Sequence, residues 1–331
     1  MITTSTAGRF LIIQTAFIGD VILATALLEQ LHAQFPAARL DMLVRQGNEG
    51  LLKNHPFLNE ILIWEKKKRK YGSLWALLKQ IRRTRYDSVI NLQRFGATGA
   101  LTAFSGAGET IGYDKNPFAR FFTRTVPHRI QPGVHEVDRN AGLIAHLMPE
   151  PLRLRPKLYP SAADYAAVAP YQTGPYVCMA PTSVWYTKQF PREKWVELIG
   201  QLPVEYTIYL LGAPSDSNAC DWIVAETRGR RPVISLTGKL SLLQSAALMQ
   251  GAAMNYVNDS APMHLCSALN APTTAIFCST VPDFGFGPLA DDSRILETKL
   301  DLDCRPCGLH GYKKCPLGHF NCAYSIDVQG A

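Results

Sequence analysis

Apolar residues follow two alternating rhythms along this chain. Phe10 to Ile13 is an unbroken apolar run suited to a strand buried on both faces, and Ala24, Leu27, Leu28, Leu31 and Phe35 then recur at helical spacing. The alternation continues with strands at Leu40–Val44 and Ile61–Trp64, a helix at Leu74–Arg83 and a strand at Ser88–Leu92. A proline-punctuated stretch through Pro149, Pro151, Pro156, Pro160, Pro170 and Pro175, broken by one short helix at Ala162–Val168, marks a linker. Beyond it the pattern predicts strands at Tyr176–Ala180, Tyr206–Leu211, Val233–Leu236, Met254–Val257 and Thr273–Phe277. Helices at Glu193–Gln201, Ser217–Glu226, Leu242–Gln250 and Pro262–Leu269 lie between them. Strands alternating with helices predict parallel sheets covered on both faces, so the expected fold class is α/β, with two Rossmann-like domains at 1–160 and 161–331.

Composition agrees with a large globular core: 331 residues, 47% of them hydrophobic, favour about two domains. The polar opening residues lack a signal core and no apolar run approaches the roughly 18 residues of a membrane span, so a cytoplasmic location is expected. Charge changes the picture more. Residues 1–160 hold 22 Lys and Arg against 12 Asp and Glu, a net of +10, whereas residues 161–331 hold 12 against 15, a net of −3. An anionic partner for the first half follows: a polyanionic substrate or the headgroups of a membrane surface. The densest run is Lys66 to Lys70, followed by Arg82, Arg83 and Arg85; it lacks interleaved aromatics and no nucleic-acid motif accompanies it, which disfavours nucleic acid. A solvated face of no function is the plain alternative.

Two turns carry the candidate chemistry. Gly19-Asp20 falls where the first strand gives way to its helix, and Asn258-Asp-Ser260 with His264 does the same far downstream. Helix N-termini at the carboxyl ends of parallel strands offer N–H groups to ligands, and the two turns together describe a site between the domains. Asp20 as a helix N-cap, and Asp259 as an N-cap beside a core-facing His264, are the structural alternatives. Neither half carries Gly-x-Gly-x-x-Gly after its first strand, which disfavours a dehydrogenase, and no P-loop motif occurs.

Taken in order, these landmarks resemble glycosyltransferase family 9, the bacterial lipopolysaccharide heptosyltransferases, and within it the heptosyltransferase II branch. They are Gly19-Asp20-Val21, Phe35-Pro36, Leu40-Asp41 and His55 to Glu60 in the first half. In the second they are Ala180 to Ser183, Lys188 to Pro191, Leu211-Gly212, Asp216, Thr237-Gly238, Asn258 to Ser260, His264 and Pro282 to Phe284. The resemblance covers nearly the whole chain. It implies the GT-B fold, two Rossmann-like domains facing a cleft, with the acceptor held mainly by the first and the nucleotide sugar by the second.

The implied reaction is inverting transfer of heptose from ADP-heptose to a hydroxyl of the lipid A-linked inner core. Asp20 matches the family's general base; a helix N-terminus favours its ionised form and so makes it a weak base, adequate if the proton moves late. Lys188 matches a lysine at the donor phosphates, placed to stabilise leaving-group charge. Thr182 and Ser183 are implied phosphate contacts, Gly212 and Asp216 lie toward the nucleoside or sugar, and Thr237 and Gly238 toward the adenine. Ser260 is expected on the phosphate, with Asp259 orienting a sugar hydroxyl or His264. Gly19, Arg94, Lys115 and Arg120 are the acceptor-side candidates. No cofactor is implied, and no divalent metal at the diphosphate, since such enzymes stabilise it with protein groups. Peripheral contact with the anionic inner face of the cytoplasmic membrane fits the +10 half. Another nucleotide-linked sugar, or a catalytically silent binding protein, remains open, the second disfavoured by Asp20 and Lys188 occurring together.

Eight cysteines without a secretion signal argue for thiols over a disulfide framework, and Cys178, Cys220, Cys266 and Cys278 sit in apolar contexts expected to be core. Cys304, Cys307, Cys315 and Cys322, with His310 and His319 between, have the spacing of a zinc knuckle; free thiols or an adventitious disulfide are the other readings.

Overall fold

The computed structural model describes residues 8–66, 70–150 and 153–329; Lys67, Lys68 and Arg69 of the basic run lie outside the described residues, as does Pro151 of the linker. The chain divides into unit 1, through Ile130 together with Val134–Tyr159, and unit 2, Gln131–Gly133 and everything from Pro160 on.

Unit 1 runs β1 (Arg9–Ile13), α1 (Ile18–Gln34), β2 (Arg39–Arg45), β3 (Leu58–Trp64), α2 (Lys70–Thr84), β4 (Ser88–Asn91), α3 (Gly96–Ala103), β5 (Glu109–Tyr113), β6 (Arg124–Val126) and α4 (Glu136–Ile144). Its six strands are all parallel in the order β3-β2-β1-β4-β5-β6. Leu11 and Ile13 of β1 pack with Leu43, Leu62 and Val89 of neighbouring strands and with Leu77 and Ile81 of α2. The spacing in α1 predicts an amphipathic helix, yet every residue from Val21 to Leu31 is buried. Two of the polar members are paired: Thr25 Oγ1 donates to Ile22 O at 2.7 Å, and the Glu29 carboxylate accepts the Tyr159 hydroxyl at 2.6 Å and lies 3.3 Å from Lys157 Nζ. The landmark residue Asp41 belongs to the fold. It is fully buried and accepts from Tyr86 Oη at 2.7 Å and Asn59 Nδ2 at 2.8 Å.

Unit 2 runs α5 (Ala162–Val168), β7 (Tyr176–Ala180), α6 (Arg192–Gln201), β8 (Thr207–Leu210), α7 (Ser217–Glu226), β9 (Val233–Ser235), α8 (Leu242–Gln250), β10 (Met254–Asn258), α9 (Ala261–Leu269), β11 (Thr273–Phe277), β12 (Ser293–Glu297) and α10 (Asn321–Tyr324). Its sheet is again parallel, ordered β12-β11-β10-β7-β8-β9. Cys178, Cys220, Cys266 and Cys278 are all buried thiols, as their apolar contexts predict.

In both sheets the strand order reverses beside the first strand, between β1 and β4 and between β7 and β10. Ligands of open parallel sheets settle outside the carboxyl ends of the strands at that reversal. Among the described residues no helix is long and apolar enough to cross a membrane.

Several elements go unmarked by apolar rhythm: α3, β5, β6, α4 and β12. Helix α3 is built from Gly, Ala and Thr, and Thr98 and Thr102 bond back to carbonyls three and four residues earlier. Gly99 there is obligatory, because a Cβ would collide with the Asn116 amide. Strand β6 has only three residues, at the edge of its sheet.

Candidate functional site

In unit 1 the site grows from the turn between β1 and α1. Gln14 accepts from Ala16 N–H at 3.2 Å, Asn48 Nδ2 donates to Ala16 O at 3.1 Å, and the Gln14 and Gln93 amides join the ends of β1 and β4. Phe17 is the N-cap residue in extended backbone, so Asp20 is the third residue of α1 and not its cap. Its Oδ2 accepts the Phe17 N–H at 3.1 Å, the back-reaching half of a capping arrangement, and it carries negative charge where the helix favours it. Gly19 precedes it in the same first turn.

Arg94 and Lys115 gather at this end of the sheet. Burial raises the pKa of Glu136; Arg139 and Arg94 act against that rise and Asp20 adds to it. The His128 imidazole is lowered to about 4, by burial first and then by Arg94, Arg139 and Lys115. Asp20 thus acts on Glu136, Lys115 on His128 and Arg94 on both, which brings in three groups the sequence does not single out: His128, Glu136 and Arg139. Arg139 holds Glu136 through Nε at 2.9 Å and Nη2 at 2.7 Å, both groups almost fully buried. The available signal is His135-Glu-Val-Asp138, in which His135 Nδ1 accepts from Val137 N–H and Asp138 reaches back to the His135 N–H. Arg120 is placed instead over the ring of Phe121, 4.7 Å from its centroid.

In unit 2 the reversal point is organised by Asn258. Its Nδ2 donates to Ala180 O at 3.3 Å and Thr182 O at 3.4 Å, and its Oδ1 accepts from Phe190 N–H at 2.9 Å. One buried amide therefore ties the end of β10 to the Thr182-Ser183 turn after β7 and to the chain just past Lys188. Ser183 O in turn accepts from Gln189 Nε2 at 2.6 Å.

Lys188 Nζ lies 2.7 Å from Asp259 Oδ2, and the same oxygen accepts from Thr280 Oγ1 at 2.6 Å. From sequence Asp259 is expected to orient a sugar hydroxyl or His264; in the structure that oxygen is engaged by the lysine expected at the phosphates. The pair is little exposed, 15% for Lys188 and 8% for Asp259, so the ammonium is fixed in place while two of its three N–H donors remain for other acceptors. Ser260 is the N-cap of α9, whose first turn contains Pro262, and His264 on that helix is buried with its ring edge toward Phe286.

A second group forms where β8 and β9 end. A Cβ on Gly212 would stand 2.9 Å from Asp216 Oδ2 and 3.2 Å from Thr237 Cγ2. Asp216 Oδ2 accepts the Ala213 N–H at 2.7 Å, and Thr237 Oγ1 pairs with Ser235 Oγ at 2.9 Å and Ser217 Oγ at 3.2 Å. Gly238 takes φ +70 with its N–H on Gly212 O at 2.9 Å, a left-handed conformation that favours glycine. Asp216 here performs the local helix-start role as well as facing Gly212. Gly212→Ala is expected to displace Asp216 and destabilise unit 2 by about 1–3 kcal/mol, the usual cost of overpacking; an unchanged urea midpoint would contradict the tight fit.

The chain carries one Asp-x-Asp pair, a pattern that can hold a divalent ion at a diphosphate: Asp301 and Asp303. Both side chains are exposed, in the irregular segment ahead of the cysteines. Burial first, then the neighbouring Cys304 and Cys315 thiols, raises the pKa of the Cys307 thiol.

Comparison with known proteins places this arrangement. The family model for glycosyltransferase family 9 (heptosyltransferase) matches residues 74–312. Lipopolysaccharide heptosyltransferase 3 of Escherichia coli is 27% identical over 284 residues, covering 80% of this chain and 82% of its own length. Lipopolysaccharide heptosyltransferase 1 of Pseudomonas aeruginosa is 27% identical over 319 residues, covering 90% and 86%. Among solved structures, the Escherichia coli ADP-heptose lps heptosyltransferase II superposes with a TM-score of 0.76 at 23% identity, over 90% of this chain and 95% of that one, a likeness of GT-B fold. Relatives of kinds 1, 2 and 3 match at 24–27%, so the heptosyltransferase II branch is not singled out. With the family model spanning well over half of the sequence, the chain belongs to glycosyltransferase family 9, the heptosyltransferases.

Proposed function

We propose that this protein transfers a heptose from ADP-heptose, with inversion, to a sugar hydroxyl of the lipid A-linked inner core of lipopolysaccharide. The observation that carries the donor side is the Lys188–Asp259 pair at the strand-order reversal of unit 2, 2.7 Å apart and largely buried. A carboxylate there repels phosphate by itself, and an ammonium held by it does not. Asp259 positions Lys188, the spare Nζ donors meet the diphosphate, and the N-terminus of α9 with Ser260 supplies N–H and hydroxyl groups. Thr182 and Ser183 add contacts from the turn after β7. Gly212, Asp216, Thr237 and Gly238 accommodate the nucleoside, where a missing Cβ lets backbone approach the ligand.

On the acceptor side Asp20 takes the proton of the attacking hydroxyl. The bond from the anomeric carbon to that oxygen forms as its bond to the diphosphate oxygen breaks, and ADP leaves with the electron pair. A single displacement inverts the anomeric centre and needs one base and one group for leaving-group charge, Asp20 and Lys188. Arg94, whose charge reaches Glu136 as that of Asp20 does, and Lys115, whose charge reaches His128, meet the anionic acceptor. The +10 balance of residues 1–160 draws unit 1 to an anionic membrane surface without insertion.

Calorimetric titration with nucleotide diphosphates tests the donor half. ADP should bind, UDP and GDP should bind more weakly, and Lys188→Ala should lose most ADP affinity. Absence of ADP binding by folded protein contradicts the donor assignment.

A further inference from the structure

Between β12 and α10, residues 298–320 form neither helix nor strand, yet Phe320, Cys322, Ala323, Ile326 and Val328 at its far end are built into the core of unit 2. A structureless stretch of this length is uncommon inside a compact unit, and ordering it costs backbone entropy at every residue. Its turns use Gly308, Gly311 and Gly318, all at positive φ. Arg305 ties part of it to the sheet, its guanidinium donating to Cys278 O at 2.8 Å, Thr280 O at 2.9 Å and Glu297 Oε2 at 2.6 Å.

Cys304, Cys307, Cys315 and Cys322, the last from the first turn of α10, ring a cavity of about 130 Å³ in this segment. His319 lines the same cavity. Its Nδ1 accepts the Asn321 N–H at 3.0 Å, which places the ring proton on Nε2, the nitrogen 4.0 Å from Cys304 Sγ. The imidazole is therefore aimed as a donor to sulfur and not as a ligand. Among the described residues no three such groups stand gathered at ligating geometry. The four thiols nonetheless line one common space.

We propose that Cys304, Cys307, Cys315 and Cys322 bind one zinc-class metal ion as a closed tetrahedral thiolate site, with His319 donating its Nε2–H to the Cys304 sulfur. Each thiol gives up its proton as its sulfur donates to the ion, and the four-sulfur shell leaves no open position, so the site is structural. What it secures is the loop from Cys307 to Cys315. Tyr312 N–H donates to Thr187 Oγ1 at 2.7 Å and Tyr312 O accepts from Thr187 N–H at 3.1 Å. Cys307 N–H donates to Ser279 O at 2.7 Å, and Ser279 Oγ donates to Thr187 Oγ1 at 3.0 Å. Thr187 directly precedes Lys188, so the ion holds the loop that backs the diphosphate lysine; that consequence rests on the reading of Lys188 given above, whereas the metal site does not.

The test uses the full chain, stripped with chelator under reductant and titrated with Co²⁺. Wild type should develop thiolate-to-cobalt charge transfer and tetrahedral visible bands saturating at one ion per chain, displaced by one equivalent of Zn²⁺. Cys307→Ser and Cys315→Ser, both at half-buried turn positions, should lose the one-to-one endpoint. A wild-type titration without charge-transfer bands, or a thiol count showing two of the four oxidised with no metal uptake, overturns the site. Metal-free protein that remains folded should bind ADP at least several-fold more weakly; unchanged ADP affinity alongside confirmed metal binding overturns the link to Lys188 alone.

Discussion

Asp20→Asn is expected to lower turnover by about 10²- to 10⁴-fold, the usual contribution of a positioned general base, while leaving ADP affinity unchanged. The substitution is nearly isosteric. An Asn carbonyl oxygen can still accept the Phe17 N–H that Asp20 Oδ2 accepts at 3.1 Å, so the first turn of α1 keeps its closure. What disappears is the capacity to take a proton and the charge at the helix N-terminus, the latter worth only about 0.3–1 kcal/mol. A structural role therefore predicts a small fall in stability and little change in rate, and the base role predicts the reverse. Steady-state kinetics with a urea melt separates them. Turnover within a few-fold of wild type removes Asp20 from the chemistry.

The second large effect belongs to Lys188→Ala. It removes the cation expected at the leaving diphosphate, and loss of one such preorganised donor costs about 10²- to 10³-fold in rate. It also strips Asp259 of its ion-pair partner, leaving an 8% exposed carboxylate with Thr280 as its remaining short contact beside the incoming phosphates. ADP affinity and turnover should therefore fall together, unlike the split expected for Asp20→Asn. Removing both charges in Lys188→Ala/Asp259→Asn should recover part of the ADP affinity, because the repulsion goes with the carboxylate. If the single and double variants bind ADP as tightly as wild type, neither side chain meets the diphosphate.

Much of the fold is legible from apolar periodicity where strands are buried on both faces. β7, β11 and, after Arg9, β1 are continuous apolar or β-branched runs, as strands buried in parallel sheets tend to be. What escapes the pattern is held by polar and small residues. Helix α4 starts on a reciprocal His135–Asp138 cap and carries a buried Glu136–Arg139 pair, so its hydrophilic sequence reads as a loop. Helix α3 depends on Gly99 giving way to an amide 17 positions later.

The site divides in the same manner. Asp20 and the Asn258–Ser260 turn stand where turn residues follow strand patterns, which is a local signal, whereas Lys188 and the Gly212–Asp216–Thr237 group are reached through the family resemblance. Their partners are set by tertiary contact. That Asn258 joins three separate segments, or that Lys188 pairs with Asp259 across 71 positions, has no expression in local spacing. His128 and Glu136 join the neighbourhood of Asp20 in the same way, from more than 100 residues downstream.

The most direct measurement is a mass-spectrometric transfer assay with purified protein, ADP-heptose, and lipid A bearing inner-core sugars with and without a first heptose. The account predicts an acceptor heavier by one heptose, with one ADP released per transfer and both signals lost in Asp20→Asn. Addition only to the pre-heptosylated acceptor would place the enzyme at the second heptose. Folded protein that binds ADP but adds heptose to neither acceptor, or that transfers a different ADP-linked sugar in preference, would contradict it.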